Sequence, residues 1–423
     1  MLSAGRLHQT EIAMTSDELQ QLLEPGVLEE LRVHEHVDPA EFAMKHHGRA
    51  GFPVRAIAEQ IACRKKARKK LPELSRRSLL YTTLSLEQAS GERSARYKSD
   101  IEGMQGKTML DMTGGLGIDA LFFSRRFDKV IYVEQDPVLA RIAGHNFNEL
   151  GAGTIQVITG DSIAYLMACP DESFDWIYVD PARRAAGKRL VNLQECEPDV
   201  VELHDLFLRK SHNICIKASP AHEITAFRDM VPSLREVLVL SVDGECREIL
   251  LFCKRHADVS VHQVTVRAVC LTENGASVIS SCQENVTGKP MAGNVGAYLY
   301  EPDPAIIKAR LVPVLARIHD MHFFNSHVEL LTSDKWVSSF PGRRFRVCDT
   351  LPYKPRYFSR YLKNNGIGAA SVHRRNFPLS PDEIRRRYRL KESRRRFLFF
   401  TRDRDAALIC IVCERESVSG DPG

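Results

Sequence analysis

Four carboxylates spaced along the middle of the chain carry the first chemical signal. Asp111 closes the apolar run Met109-Leu-Asp111, Glu134 closes Val130-Ile-Tyr-Val-Glu134, Asp161 closes Val157-Ile-Thr-Gly-Asp161, and Asp180 closes Phe174-Asp-Trp-Ile-Tyr-Val-Asp180. Between the first two lies Thr113-Gly114-Gly115-Leu-Gly117-Ile-Asp-Ala120, a glycine turn that lets backbone pass close to a ligand at angles a side chain would forbid. Strand, glycine turn opening a helix, and a second strand ending in an acid form the nucleotide-binding half of a doubly wound α/β domain. Gly115-x-Gly117-x-x-Ala120 fits the dinucleotide fingerprint, and Glu134 stands 19 residues beyond Gly115, close to the spacing of about 20 at which an acid meets a ribose diol. On that pattern alone NAD is a candidate. Asp111 decides against it, because a carboxylate at the end of the first strand would repel a pyrophosphate and attract a cation.

S-adenosylmethionine has an ammonium, a sulfonium and a ribose but no phosphate, so an acid on each side of the glycine turn suits it. In order and spacing the four acids resemble the series of the class I S-adenosylmethionine-dependent methyltransferases. The resemblance implies that Glu134 accepts the ribose hydroxyls and that Asp161, followed by Ser162, accepts the adenine amino hydrogens. It further implies that Asp111 meets the methionine ammonium and that Thr113, Gly114, Gly115 and Gly117 make room for the amino-acid tail. Leu86-Glu-Gln88-Ala-Ser90-Gly-Glu is too polar for a core helix and lies where many methyltransferases cover the cofactor. Gln88 and Ser90 are expected to line the methionine end.

A sulfonium methyl is already activated, so the protein must align an acceptor at about 3 to 3.5 Å and manage its proton. The acceptor is expected beside Asp180. Carbon-5 methylation of a pyrimidine needs a cysteine, and Asp180-Pro181-Ala-Arg183 and Lys217-Ala-Ser-Pro220 hold none. Nitrogen methylation in Asp-Pro-Pro-Tyr families uses the acid and a proline carbonyl to hold an N–H. This chain keeps Asp180-Pro181 but has Arg183-Arg184 in place of the stacking aromatic. For ribose 2′-O-methylation, Arg93-Ser-Ala-Arg-Tyr-Lys98 is similar to a stretch of the heat-shock-type 2′-O-methyltransferases, whose Lys-Asp-Lys-Glu set implies roles for Lys98, Asp180, Lys217 and Glu248. A base nitrogen and a ribose hydroxyl both remain open.

The elements that must position these residues follow from periodicity. The expected fold class is α/β: a doubly wound Rossmann-like methyltransferase domain at 81–257, preceded by a helical N-terminal domain at 1–80. Two small α+β modules follow, a ferredoxin-like one at 258–342 with a helix from Pro304 to His319, and a basic one at 343–423. Glu236-Val-Leu-Val-Leu-Ser and Glu248-Ile-Leu-Leu-Phe-Cys resemble the closing antiparallel hairpin of class I methyltransferases. In the last module the predicted order is strand, helix, strand, helix, strand, strand, resembling the THUMP-like RNA-binding modules attached to tRNA-modifying methyltransferases.

Charge supports that partition. The whole chain of 423 residues is at +5, but Arg343 to Arg402 holds 18 Lys and Arg against four Asp and Glu, so the remainder is at −9. Such asymmetry suggests a polyanion-binding module on an acidic enzyme. RNA, of the tRNA or rRNA kind, is the expected partner of residues 343–402. Tyr357, Phe358, Tyr361, Phe377 and Tyr388 interleave with these cations, either as base-stacking groups or, by preference, as core. A second basic run, Arg64-Lys-Lys-Ala-Arg-Lys-Lys70, has helical spacing. The N-terminus lacks an apolar signal core and no run of about 18 apolar residues occurs, so a cytoplasmic protein without a membrane span is expected. The 11 cysteines are scattered through apolar runs, and Cys410-Ile-Val-Cys413 has no second pair, so no metal is expected. Methylation of RNA is the leading reading. The alternatives are a methyltransferase for a protein or small molecule, and a non-catalytic RNA-binding protein that retains the pocket.

Overall fold

A computed structural model describes residues 13–183, 192–255, 264–282 and 288–415. The chain divides into two compact units. One comprises Met1–Ala218, Arg228–Ser233 and Leu251–Ala257, the other Ser219–Phe227, Leu234–Leu250 and Asp258–Gly423.

The first unit opens with helices α1 (Ser16–Leu22), α2 (Pro25–Val33), α3 (Pro39–Lys45) and α4 (Val54–Lys70). Thr15 caps α1 in a reciprocal box with Glu18. The basic run on α4 is largely engaged inside the unit. Arg64 and Arg68 pair with Glu35, Lys66 with Glu87, and Lys70 donates to the carbonyls of Leu86 and Glu87. Those carbonyls end α5 (Thr83–Gln88), and the lysine there satisfies the orphan acceptors of a helix C-terminus.

After α6 (Glu92–Ser99) come β1 (Gly106–Asp111), α7 (Ile118–Phe123), β2 (Phe127–Glu134), α8 (Pro137–Glu149), β3 (Ile155–Thr159), α9 (Ser162–Ala168) and β4 (Phe174–Val179). The short pair β5 (Ala182–Arg183) and β6 (Cys196–Glu197), α10 (His204–Lys210) and β7 (Ser211–Ala218) complete the series. The strands lie in the order β3-β2-β1-β4-β7, all parallel. The apolar runs of β1, β2, β4 and β7 are nearly continuous because helices cover both faces of such a sheet. Strand order reverses between β1 and β4, so their C-terminal ends frame the crevice in which open α/β folds bind ligands.

The glycine turn between β1 and α7 is first a packing device. A Cβ on Gly114 would stand 2.5 Å from the Tyr132 ring, and one on Gly117 would stand 2.4 Å from the Phe147 ring. Gly117 also has φ +77° and caps α7 in the left-handed region. Gly115, at φ +58°, meets only the Thr113 carbonyl, at 3.7 Å. Internal sterics therefore require Gly114 and Gly117, while Gly115 alone borders free space.

The second unit follows α11 (Phe227–Met230), at the division, with β8 (Leu234–Val242) and β9 (Glu245–Lys254), whose last residues belong to the first unit. Asp243 and Gly244 between β8 and β9 both have positive φ, the geometry of a tight hairpin turn. β10 (Thr265–Thr272) pairs parallel with β8 and antiparallel with β11 (Gly275–Cys282). Next come β12 (Tyr298–Pro302), α12 (Pro304–Lys308) and α13 (Val312–Ile318). One helix was expected from Pro304 to His319. It is broken at Arg310, φ +59°, because Pro313 in the next turn has no N–H to continue the ladder.

The chain then runs through β13 (His322–Phe323), β14 (Leu331–Ser333), β15 (Gly342–Pro352), α14 (Pro355–Asn364), β16 (Ser371–Arg374), α15 (Pro381–Tyr388), β17 (Arg396–Arg402) and β18 (Leu408–Glu414). From β15 onward this is the element order read from the sequence. The expected partition at residue 342 has no counterpart in the sheet, since β12 pairs with β15 in a seven-stranded order β13-β14-β12-β15-β18-β17-β16. Side chains alternate between two apolar layers. Leu398, Phe400, Cys410 and Val412 pack with Phe358 and Leu362 of α14 and Ile384 of α15. Phe397, Phe399, Ile411 and Cys413 pack with Leu299 and Phe345. Cys410 and Cys413, three apart on a strand, thus face opposite layers and cannot share one ion.

Replacing Gly117 by alanine should destabilise the protein by about 2 to 4 kcal/mol, the sum of left-handed strain and overpacking. Chemical denaturation measures it, and an unchanged midpoint would contradict the packing account.

Candidate active site and basic surface

The ends of β1 and β4 are tied together. Asp111 is buried and its Oδ1 accepts the Thr113 N–H at 3.0 Å, while Thr113 Oγ1 accepts the Asp180 N–H at 2.7 Å. Glu134, at the end of β2, accepts the N–H of Gly115 and that of Asp136, each at 2.8 Å. The Tyr132 hydroxyl donates to the Gly115 carbonyl at 2.5 Å, so β2 grips the glycine turn from both of its polar sides. Asp161 is exposed and caps α9, its Oδ1 accepting from Ile163 and Ala164, with Ser162 as the first helical residue. Each carboxylate keeps lone pairs beyond these bonds.

Asp111 is electrostatically unusual. Burial raises its pKa most, the charges of Asp119 and Asp180 push the same way, and the Thr113 N–H and Lys217 oppose them; the result is about 7. It is an acid whose charged form would be favoured by a cation brought beside it.

Beneath Asp180 lies a charged cluster that the sequence reading did not foresee as a whole. Lys98, 0% exposed, places Nζ 2.9 Å from Asp119 Oδ1 and donates to Ser90 Oγ at 2.8 Å. Asp119 Oδ2 accepts from Ser90 Oγ at 2.8 Å and from the Tyr178 hydroxyl at 2.7 Å. Lys217 Nζ lies 2.5 Å from Asp180 Oδ2, 3.2 Å from Ser90 Oγ and 3.8 Å from Asp119 Oδ2. Burial alone would raise the Asp119 pKa, but the two lysines and the hydrogen bonds outweigh it and hold the group below the usual carboxylate range. Lys98, Asp180, Lys217 and Ser90 are therefore brought together. Gln88 is exposed at the end of α5. Glu248 is buried on β9 in the second unit. Arg183 lies on β5, beside Pro181, and Arg184 falls outside the described residues. Asp119 and Tyr178 were missed. The available signal was an acid in Ile118-Asp-Ala-Leu-Phe-Phe123, a helix otherwise wholly apolar and buried.

In the second unit some basic residues are paired with carboxylates and others are exposed without one among the described residues. Arg343 and Arg375 both pair with the buried Glu301, Arg346 and Arg396 with Glu414, and Arg385 with Asp382 and Glu392. Arg356, Arg360 and Lys363 of α14, Lys354 just before it, Arg386 and Arg387 of α15 and Arg389 just after it are exposed and make no ion pair among the described residues, and the same is true of Arg374, Lys391, Arg394 and Arg395 outside the helices. The two helices lie side by side, with Phe358 and Tyr388 rings 5.0 Å apart. Of the five interleaved aromatics, Phe358, Phe377, Tyr361 and Tyr388 belong to or pack on the core, and only Tyr357 stands out, 47% exposed.

A buried acid poised near neutrality, an acid at the end of β2 and an open glycine edge fit a nucleoside with a cationic tail. Comparisons with known proteins agree. A family model described as THUMP domain-like matches residues 342–415, and one described as Conserved hypothetical protein 95 matches 93–197. An uncharacterized S-adenosylmethionine-dependent methyltransferase of Mycobacterium tuberculosis is 24% identical over 367 residues, covering 84% of this chain and 95% of that one. A crystal structure from Porphyromonas gingivalis W83, provisionally described as a methyltransferase, matches with a TM-score of 0.84 at 28% identity, covering 96% of this chain and 100% of that one.

The fold is the Rossmann-like fold of class I methyltransferases. The chain is an S-adenosylmethionine-dependent methyltransferase carrying a THUMP-like module. No helix among the described residues is long and apolar enough to cross a membrane.

The Asp111 pKa gives a signed prediction. Affinity for S-adenosylmethionine should fall about tenfold per pH unit as the pH drops below about 7. In Asp111→Asn it should be weaker and flat. Because the native pKa lies above the ordinary 3.8, ionisation opposes folding, and stability is lost as pH rises through that window. At alkaline pH the asparagine variant should melt higher than wild type without ligand. Calorimetric titration and thermal melts check the two halves.

Proposed function

We propose that this methyltransferase modifies RNA, presented to it by the outward face of α14 and α15. The observation that carries the reading is the split of the basic residues. Seven exposed cations, five in those two helices and two flanking them, are left without carboxylates among the described residues, on the layer that also exposes Tyr357. Unneutralised Lys and Arg gain most from a polyanion, because phosphate contacts release condensed counterions. An exposed aromatic among them adds a stacking surface that any base can use.

At the first unit, S-adenosylmethionine supplies a methyl group already activated for transfer. Asp111 receives the methionine ammonium and Glu134 the ribose hydroxyls. Asp161, whose Oδ1 is engaged in capping α9, turns its remaining lone pairs to the adenine amino group. Asp180 orients the acceptor and takes its proton, with Lys217 in contact with the carboxylate and Pro181 offering a backbone carbonyl.

A base nitrogen is the acceptor this arrangement favours. Asp180 and Pro181 stand at the end of β4, only half-buried, where an N–H could be met. Lys98 is sealed from solvent and already bound to Asp119 and Ser90, so it is not placed to meet a ribose hydroxyl. A ribose 2′-hydroxyl is the second reading, favoured by the 2.5 Å contact of Lys217 with Asp180, which sets an amine beside the acid.

Nucleoside mass spectrometry of RNA from cells with and without the gene tests the reading. Loss of one methylated base is expected, a lost ribose methylation would select the second reading, and an unchanged RNA profile would sink both. Asp180→Ala should lower turnover at least about 100-fold with cofactor affinity intact. Reversing Arg356 and Arg360 to glutamate should weaken RNA binding and flatten its salt dependence by about 0.7 to 0.9 per lost phosphate contact. An unaltered salt slope in filter binding would remove α14 from the interface.

A further inference from the structure

The buried ion pair beneath the site has no role in the reading just given. Lys98 and Asp119 are both buried, and two such charges cost desolvation that an apolar pair of the same size would avoid. Asp119 does more than neutralise Lys98. It gathers Ser90 and Tyr178 on Oδ2, and Ser90 Oγ in turn accepts from Lys217 at 3.2 Å. Lys217 Nζ then reaches Asp180 Oδ2 at 2.5 Å. A lysine on its flexible four-carbon stem would otherwise sample several rotamers. Here its head is fixed by Ser90, with the Asp119 charge behind it and Asp180 in front.

We propose that Asp119 is a positioning residue for methyl transfer: through Ser90 and Lys217 it sets the direction of the Asp180 carboxylate toward the acceptor. This rests on the reading of Asp180 as the acid at the acceptor. Lys98 is the counter-ion that makes a buried Asp119 tolerable, and Tyr178, on β4 two residues before Asp180, ties the network to the strand that carries the acid. Asp119 touches neither acceptor nor cofactor in this scheme. Its effect belongs to kcat rather than to binding, and a misplacement of the acid by about 1 Å corresponds to a loss approaching 100-fold.

The alternative is that Asp119 only neutralises Lys98. The double variant Asp119→Asn/Lys98→Met separates the two, since removing both charges relieves the unpaired-charge penalty that either single change creates. If Asp119 positions Lys217, the double variant recovers the melting temperature but keeps a kcat about 10- to 100-fold low, with KM for S-adenosylmethionine unchanged. Recovery of both stability and kcat would overturn the proposal.

Tyr178→Phe is a gentler probe in case the double variant does not fold. It removes one hydroxyl from Asp119 at constant shape, and full turnover there would count equally against the proposal. Reductive methylation of the lysines, read by mass spectrometry, needs no acceptor. Lys217 should label about tenfold faster in the double variant than in wild type, as expected for an amine released from its partners, and an equal rate would overturn the proposal. If the wild type methylates no RNA, the functional reading fails while the labelling still decides whether Asp119 holds Lys217.

Discussion

The structure of the first unit depends on a charge balance at the carboxyl ends of β1 and β4. Three acids, Asp111, Asp119 and Asp180, lie with two lysines, Lys98 and Lys217, in one partly dry place. Two of the acids have ammonium partners in direct contact. Asp111 does not, and burial first, then the neighbouring charges of Asp119 and Asp180, raises its pKa to about 7. A site short of one positive charge is complementary to a ligand that brings one, which is why the neighbourhood of the glycine turn suits a methionine ammonium and would reject a pyrophosphate.

That balance is held by elements whose sequences look unrelated to chemistry. Tyr132 and Phe147 press the glycine turn from β2 and α8, 5.4 Å apart and edge to face. Glu134 and Tyr132 hold the turn's amide and carbonyl. The result is a backbone loop fixed in place before any ligand arrives, so that binding need not order it. The same glycines that suggested a ligand are thus also required by two aromatic rings of the protein itself.

In the second unit, charge and hydrophobicity are sorted by position on the sheet. Arginines near the strand edges are matched by Glu301 and Glu414 and knit β12, β15, β16, β17 and β18 together. On and beside the helices, Lys354, Arg356, Arg360, Lys363, Arg386, Arg387 and Arg389 are exposed without a carboxylate among the described residues, whereas Arg385 is paired with Asp382 and Glu392. A net charge counted along the sequence merges these populations. Only the pairing separates structural arginines from ones that remain available, and the outward set is smaller and more localised than the 18 cations of Arg343 to Arg402 suggested.

The strand-end acids, the glycine turn, the change from helical to parallel α/β pattern and the strand–helix order after residue 342 were legible in the sequence. Each is a local pattern: period 2 or 3.6, an acid ending an apolar run, a glycine where backbone must turn. The break at Arg310 and the junction of β12 with β15 were not, because they depend on partners far along the chain. The same holds for Asp119, which in sequence is one acid in an apolar helix and becomes central only when α6, the α5–α6 connection, β4 and β7 bring Lys98, Ser90, Tyr178 and Lys217 to it. Sequence alone determined which kind of ligand the strand ends attract, since that follows from residue type at a strand terminus. Tertiary structure decided which charges are neutralised and which remain free, since a charge loses or keeps its influence according to what is packed within a few ångströms of it.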